Sequence, residues 1–380
     1  MRSPAAAIAA VKQGTFLSDQ PKNCQTRPPD LSRPATTGPS SPHFMRILLY
    51  EHFCSGGLAG QALDAGLLAD GAGMLRSLAE DFDAAGHDVT AVLDERVPFQ
   101  LPGRTVAVDA ESPESARKAF DHALATVEAA LIIAPEFDDL LPATLERVEQ
   151  AGVMNLGSSS STARDVSDKH AIGRRLAAAG LRVPTGSLGL ASALDMIAAH
   201  AEVVIKPNRG AGCVDTYVCR SAADIARLPP RTDWLVQERL HGLAASAAFV
   251  VPCDGPPIPL RAGIQAVGLS GDAGAGRLAY SGGRLPLAAD LEQRAIKLGL
   301  AALRFLPGLR GLVGIDLVLG ASADQDTLIE VNPRPTVAYA GLRRLARFSI
   351  PELILGTPVC IDWHAGIVRF EADGTAEMLH

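Results

Sequence analysis

The sequence lacks the motifs of several common enzyme classes. Its six cysteines are scattered without a CxxC pair, which argues against a zinc ribbon and a disulfide framework and predicts reduced thiols in a cytoplasmic protein. Its nine histidines form no HExxH or HxH cluster, so a histidine metalloenzyme is not indicated. The phosphate-binding P-loop motif GxxxxGK[ST] is absent as well.

Charge and hydropathy exclude further classes. The formal net charge of −7 argues against general affinity for nucleic acid and for anionic membranes. No apolar run reaches the length that spans a bilayer. The 380 residues, 47% of them hydrophobic, describe an ordinary soluble globular chain with room for two or three domains.

The N-terminal part of the chain divides into two segments. Residues 1–44 are rich in Pro, Ser and Thr and cannot bury a core, so we expect a disordered extension. From Met45 to about Leu156, apolar strands alternate with helices, which predicts a parallel sheet covered on both faces. Such sheets bind ligands beyond the carboxyl ends of their strands, near Glu51 and Glu136. The small polar run GSSSST at 157–162 predicts a linker to a second domain.

The stretch 311–336 predicts a β-hairpin with acids inside it. Two apolar runs flank a short polar loop, and one contains Asp316 while the other contains Glu330 and Asn332. The period of two puts Glu330 and Asn332 on one face, with Asp316 able to lie opposite. Carboxylates in apolar strands are costly unless they are paired or bind metal, and this oxygen-rich set favours Mg²⁺. The alternative is a pair of acids held at strand ends by arginine or water.

A second stretch predicts phosphate binding. Residues 203–207 (VVIKP) form a strand that carries Lys206, and the loop 208–215 (NRGAGCVD) can direct backbone N–H groups at phosphate oxygens. Lys169 lies in the first turn of a helix for which Ser167 is the expected N-cap. A cation there opposes the helix dipole, which is typical of a functional position. A plain hairpin and a solvated lysine are the alternatives.

Three further segments complete the pattern. Trp234–Gly242 is an expected strand whose end offers the Gln237 side chain and the backbone of Glu238 and Leu240 to a nucleotide base. Ser246 is the polar residue of the next strand, and Arg261 and Gln265 lie on the one after it. We expect 280–287 (YSGGRLPL) to be a loop and 291–305 a helix.

In this order, these motifs resemble the ATP-grasp superfamily over about 168–336. The alternating segment before them is similar to the pre-ATP-grasp domain. The resemblance implies an α/β fold with a Rossmann-like pre-ATP-grasp domain at 45–157 and, at 158–380, an ATP-grasp domain whose two α+β subdomains clasp ATP.

The resemblance also implies site roles. ATP phosphates would contact Lys169, Lys206 and the loop from Arg209 through Gly210 and Gly212 to Val214, and adenine would contact Gln237, Glu238 and Leu240. Two Mg²⁺ (or Mn²⁺) ions would bind Asp316, Glu330 and Asn332. Arg334 would face the transferring phosphate or the substrate carboxylate, with Arg261 and Arg284 as further candidates. One departure is Ala244, which stands where many members carry an acid for the ribose.

The implied activity is ATP-dependent joining of a small-molecule carboxylate to an amine through an acyl phosphate. The EHFCSGG segment, the Gln265 strand and YSGGRLPL are similar to the branch that contains tyramine–L-glutamate ligase of methanofuran biosynthesis. A small-molecule kinase on the same fold and a non-catalytic nucleotide-binding module remain alternatives. The sequence predicts no nucleic-acid or membrane partner and leaves a homodimer open.

Overall fold

The computed structural model describes residues 44–109, 111–270 and 276–379. The disordered extension that the sequence predicts lies outside the described residues, apart from Phe44. Within the described ranges, no helix combines the length and apolar character needed to cross a membrane. Phe44 onward forms a single compact unit.

The first sheet is parallel, as the alternating pattern predicts. Its strands are β1 (Arg46–Glu51), β2 (Asp88–Asp94), β3 (Arg104–Val108), β4 (Ala129–Ile133) and β5 (Met154–Asn155), in the order β3-β2-β1-β4-β5. The helices among them are α1 (Ala65–Ala84), α2 (Pro113–Leu124) and α3 (Leu140–Gln150). Helix α1 begins at Ala65, because Asp64 caps it by accepting from the N–H groups of Gly66 and Leu67.

The expected linker at 157–162 is wrong in its second half. Helix α4 (Ser160–Ser167) begins there, because Ser159 caps it by accepting from the Thr162 N–H. The Glu149 carboxylate accepts from the Ser160 N–H and hydroxyl, both at 2.7 Å, which fixes the segment against α3.

The second sheet has four antiparallel strands in the order β6-β9-β7-β8. Helix α5 (Lys169–Ala178) precedes it, and its strands are β6 (Gly186–Leu188), β7 (Val203–Pro207), β8 (Tyr217–Cys219) and β9 (Trp234–Glu238), with α6 (Ala193–His200) and α7 (Ala222–Ile225) between them. The expected strand around Lys206 and its return strand are therefore confirmed.

The third sheet is antiparallel and has seven strands in the order β14-β13-β10-β11-β12-β15-β16. They are β10 (Leu243–Val251), β11 (Ile258–Leu269), β12 (Leu278–Leu285), β13 (Gly311–Leu319), β14 (Thr327–Asn332), β15 (Ile367–Glu371) and β16 (Ala376–Leu379), with α8 (Ala289–Leu303), α9 (Tyr339–Leu345) and α10 (Ile350–Ile354) packed among them. The expected hairpin is β13–β14.

The expected loop at 280–287 is wrong, since most of it is strand β12. Its two glycines suggested a turn, but they permit close strand packing instead. A Cβ on Gly282 would lie 2.1 Å from the Phe370 carbonyl oxygen, and one on Gly283 would lie 2.2 Å from that of Ile264. Glycine is thus required where β12 passes between β11 and β15.

Glu51, at the end of β1, is a fully buried carboxylate. It accepts a hydrogen bond from the Cys54 backbone N–H at 2.8 Å, and it lies so close to α1 that a Cβ on Gly71 would be 2.3 Å from Oε2. Burial raises the pKa of Glu51 from 4.5 to about 7. Between these values the folded protein binds more protons than the unfolded chain, so the free energy of unfolding falls as pH rises.

We predict that Glu51→Gln removes this pH dependence. At pH 8 the wild-type chain bears the full cost of the buried charge, about 3 kcal/mol for a shift of this size, and the variant does not. Urea unfolding of both proteins at pH 5 and pH 8 measures the difference. The same loss of stability between the two pH values in both proteins would contradict the prediction.

Candidate active site

A cavity of about 410 Å³ opens among the three sheets and helix α1. Most of the residues that the sequence analysis singled out line it: Lys169, Lys206, Gly210, Gly212, Gln237, Glu238, Leu240, Ala244, Ser246, Arg261, Gln265, Asp316, Glu330, Asn332 and Arg334. The fold therefore brings residues that are up to 165 positions apart, from Lys169 to Arg334, to one cavity.

The hairpin places the two predicted acids directly opposite each other. Asp316 and Glu330 are cross-strand partners, and a bulge follows them in the β13–β14 ladder. The Asp316 carboxylate accepts from Gln265 Nε2 at 2.9 Å and from Asn332 Nδ2 at 3.1 Å. The two amide groups thus hold Asp316 in place and leave their own oxygens for other partners.

Two lysines converge on Glu330. Its Oε2 lies 3.5 Å from Lys169 Nζ and 3.7 Å from Lys206 Nζ, and all three side chains are largely buried. Lys169 Nζ also donates to the Gly210 carbonyl oxygen at 2.6 Å, which ties the lysine to the glycine loop. Both lysines thus meet at Glu330, and the binding of phosphate by the lysines and the loop stays a prediction.

The pKa shifts follow from this arrangement. Burial raises the pKa of Asp316 above its ordinary value, and the neighbouring Glu330 charge raises it further. Burial acts in the same sense on Glu330, but Lys169, Lys206 and Arg334 outweigh it and lower the pKa of that carboxyl. Burial lowers the pKa of the Lys206 ammonium. Glu330 is therefore the more firmly ionised acid of the pair.

The donor set fits a hard divalent cation. Asp316, Glu330 and Asn332 offer carboxylate and amide oxygens on one face of the hairpin, the ligand type that Mg²⁺ and Mn²⁺ take in proteins. Among the described residues, no group of three His, Cys, Asp or Glu side chains has a metal-binding arrangement, so an ion here needs the Asn332 oxygen, water or phosphate as further ligands. The metal role of these three residues stays a prediction.

The helix that carries Lys169 begins differently from the expectation. Asp168 is its N-cap, accepting from the Ala171 N–H at 2.9 Å, whereas Ser167 belongs to the preceding helix. The Asp168 carboxylate also accepts from Asn208 Nδ2 at 3.0 Å. These contacts fasten the start of α5 to the end of β7, so that both lysines are positioned by one small network.

Arg209 is the expected phosphate ligand that does not line the cavity. Its guanidinium lies 3.6 Å from the Asp168 carboxylate and donates to the Arg164 carbonyl oxygen at 3.2 Å. The following loop residues Gly212, Cys213 and Asp215 all have positive φ, which turns the backbone sharply at the cavity wall.

The strand expected at 234–242 ends at Glu238, and this residue already makes hydrogen bonds to Thr185. Its backbone N–H donates to the Thr185 carbonyl oxygen, and its carboxylate accepts from the Thr185 N–H at 2.8 Å. Of the Glu238 backbone groups that were expected to contact adenine, only the carbonyl oxygen takes no part in these hydrogen bonds. Gln237 is buried and, like Leu240, lines the cavity.

Arg334 is held by a carboxylate of the first sheet. Its Nε and Nη2 donate to the two oxygens of Glu136 at 2.9 and 3.0 Å, and the side chains are only 10% and 2% exposed. This is the bidentate geometry of a strong charge-assisted pair. Sequence analysis pointed to both residues separately but could not show that they meet.

The other two candidate arginines differ from Arg334. Arg261 lines the cavity but pairs with Glu292 at 3.0 Å and lies over the Trp363 ring. Arg284 is exposed on β12 and does not line the cavity. The catalytic role given to Arg261 remains a prediction.

Asp70 on α1 and Tyr280 on β12 are among the cavity residues that the sequence analysis did not single out. Neither has a sequence signal, since Asp70 lies in a helix of ordinary composition and Tyr280 in the segment expected to be a loop.

Two family models match the chain. An ATP-grasp domain model matches residues 166–338, and a pre ATP-grasp 3 domain model matches residues 87–163. No curated protein matches the chain in sequence at a significant level.

Solved structures share the fold across most of the chain. An ATP-grasp superfamily protein from Archaeoglobus fulgidus is 23% identical, with a TM-score of 0.63 over 86% of this chain and 92% of that one. Biotin carboxylase from Campylobacter jejuni is 15% identical (TM-score 0.65, 86% and 75%), and L-amino acid ligase from Bacillus licheniformis is 15% identical (TM-score 0.59, 83% and 74%). These comparisons confirm the expected ATP-grasp fold with its pre-ATP-grasp domain.

The Arg334–Glu136 pair predicts a large stability effect. We expect Glu136→Ala to lower the free energy of unfolding by about 3–5 kcal/mol, because it leaves a buried guanidinium unpaired. Glu136→Ala combined with Arg334→Met should lose much less than the sum of the two single variants. The measurement is urea unfolding of the three variants.

Glu114→Ala is the control for this cycle. It breaks the exposed pair with Lys118, whose side chains are 64% and 69% exposed, and should cost no more than about 1 kcal/mol. An equally small effect of Glu136→Ala would show that the buried pair does not have the strength argued here.

Proposed function

We propose that this chain, which belongs to the ATP-grasp superfamily, is an ATP-dependent ligase that joins a small-molecule carboxylate to an amine. The observation that carries the proposal is the cluster of Asp316, Glu330, Lys169 and Lys206 in one cavity with Arg334. Phosphoryl transfer requires such a set, because cations must neutralise the phosphate oxygens while the reacting atoms are held in line.

The lysines would bind the triphosphate. A phosphate oxygen near Glu330 would come within reach of both ammonium groups, and Lys169 is already fixed to the glycine loop through Gly210. Asp316, Glu330 and Asn332 would hold Mg²⁺, which supplies charge neutralisation on the phosphates when bound. Gln237 and Leu240 would contact the base at the end of β9.

Arg334 would bind the substrate carboxylate or the phosphoryl group in transfer. Two of its five N–H groups are engaged by Glu136 and a third donates to the Pro335 carbonyl, which leaves two for a ligand. A guanidinium fixed in this way loses little side-chain entropy on binding.

The proposed reaction consists of two successive displacement steps. A carboxylate oxygen of the acid attacks the γ-phosphorus, the bond to the β,γ-bridging oxygen breaks, and ADP leaves. The amine substrate loses a proton from its ammonium form, and its nitrogen then attacks the acyl carbon of the acyl phosphate. The C–O bond to phosphate breaks, phosphate leaves, and the nitrogen loses a second proton to solvent. Water must be excluded from the cavity while the acyl phosphate exists, because this intermediate hydrolyses in contact with solvent.

Glutamate, with tyramine or tyrosine, is our first choice of substrates. Support comes from the similarity of the EHFCSGG segment and of strands β11 and β12 to the tyramine–L-glutamate ligase branch. One of the similar solved structures carries the name L-amino acid ligase, which fits the same reaction class.

The acyl phosphate gives a direct test. Incubation with ATP, Mg²⁺, hydroxylamine and a panel of carboxylic acids that includes glutamate should form a hydroxamate and ADP. Glu330→Gln should lower the rate at least about hundredfold, since it removes a charge that binds the metal and orients both lysines. Glu377→Gln, at an exposed position on β16, is the matched control and should retain the wild-type rate.

Two outcomes would contradict the proposal. ADP formation that requires a hydroxyl acceptor and never gives a hydroxamate would indicate a kinase. Full turnover in Glu330→Gln would show that the metal assignment is wrong.

A further inference from the structure

Helix α1 presents an acid to the cavity that the proposed chemistry does not use. Asp70 lines the cavity one residue before Gly71 and four before Met74, which also line it. Asp70 lies on α1, whereas the proposed nucleotide and metal ligands Lys169, Lys206 and Glu330 lie on α5, β7 and β14. It therefore offers the cavity a contact from an element that carries none of the proposed nucleotide ligands.

Asp70 differs from the other charged residues of the cavity in having no partner. Arg334 pairs with Glu136, Arg261 with Glu292, and both lysines with Glu330. Within the part of the chain that the structure describes, the Asp70 carboxylate makes no hydrogen bond and no ion pair. Since a half-buried carboxylate gains most from a cation, this position suits a positively charged ligand group.

The electrostatic surroundings of Asp70 are also unfavourable to its charge. Burial, together with the Asp373 carboxylate in the β15–β16 turn, raises the pKa of Asp70 to about 6. The group is still ionised at neutral pH, and a neighbouring cation would relieve both costs.

Apolar side chains share the cavity lining with this acid. Leu67 and Met74 lie within one turn of Asp70 on α1, and Phe53, Ile133, Phe137 and Phe370 line the same cavity. Such a wall favours a ligand whose body is apolar and whose charge is confined to one end.

We propose that Asp70 binds the ammonium group of the amine substrate and selects an amine with an apolar body. This inference rests on the proposed ligase function and adds the residue that recognises the second substrate.

The same arrangement would distinguish a simple amine from an α-amino acid. An α-amino acid would bring a carboxylate into the cavity, where Arg261 is engaged by Glu292 and Arg334 serves the acid substrate. A simple amine carries no such uncompensated charge.

Equilibrium binding tests the inference separately from catalysis. Tyramine and phenethylamine are titrated calorimetrically into the wild-type protein, Asp70→Asn and Asp83→Asn. Asp83 is the matched control, because it is an exposed acid on the same helix. Asp70→Asn should weaken amine binding by about tenfold to hundredfold, the range for loss of a hydrogen bond to a charged group, and Asp83→Asn should leave it unchanged.

Tyrosine provides the test of selection. We expect it to bind the wild-type protein at least about tenfold more weakly than tyramine, because its carboxylate lacks a partner. Tyrosine binding as tight as that of tyramine would overturn the selection of a simple amine. Wild-type affinity in Asp70→Asn, or no binding of either amine to the wild-type protein, would overturn the role of Asp70.

Hydroxamate formation distinguishes a failure of the proposed ligase function from a failure of the proposed role of Asp70. Hydroxylamine is largely uncharged at neutral pH, so hydroxamate formation by the wild-type protein tests activation of the acid substrate without the ammonium-binding role of Asp70. A wild-type protein that forms no hydroxamate with any acid contradicts the ligase proposal, whatever the binding result. The melting temperature shows whether Asp70→Asn is folded. If it is not, Asp70→Ser takes its place, and a folded Asp70→Ser that binds amines with wild-type affinity would overturn the proposal.

Discussion

Two carboxylates lie side by side in the interior of this protein, and their mutual repulsion sets much of the surrounding geometry. Asp316 and Glu330 are direct cross-strand partners, so their charges cannot be separated without breaking the ladder. Like charges at this distance in a low-dielectric interior are strongly unfavourable. Three side chains from other elements compensate the two negative charges. They are Lys169 at the start of α5, Lys206 at the end of β7 and Gln265 on β11. The relative placement of these elements therefore depends on the need to compensate the charges of Asp316 and Glu330.

The parts of this arrangement that depend on local sequence could be predicted. An acid within an apolar run signals an uncommon requirement, and alternation alone puts Glu330 and Asn332 on one face. Lys206 could be predicted for the same reason, because it is a charged residue in the apolar strand VVIKP. The five-stranded parallel sheet followed from alternating strands and helices, although β3, an exposed edge strand, carries too little apolar pattern to be recognised.

Contacts between distant segments could not be predicted. Glu136 and Arg334 are 198 positions apart, and neither residue carries a sign of the other. Ser167 and Asp168 are both acceptable caps, and the choice between them depends on Asn208, which approaches from β7. Gly282 and Gly283 have the composition of a turn, and only the neighbouring strands β11 and β15 show that the lack of side chains serves close packing. In each case the deciding partner is remote in sequence.

The pre-ATP-grasp segment and the end of the chain share one hydrophobic core. Leu75, Leu78 and Phe82 of α1 belong to the same buried cluster as Leu342 of α9 and Phe370 of β15. At its edge Asp81 accepts from the Tyr339 hydroxyl at 2.7 Å and from the Arg343 guanidinium. Side chains in such a core are close-packed and do not slide independently. Asp70, on the same helix, is therefore held at a defined position relative to Arg334, which is separately bound to the first sheet through Glu136. The proposed ligation requires this rigidity, because the two proposed substrates must meet at one carbon atom although different segments of the chain would bind them.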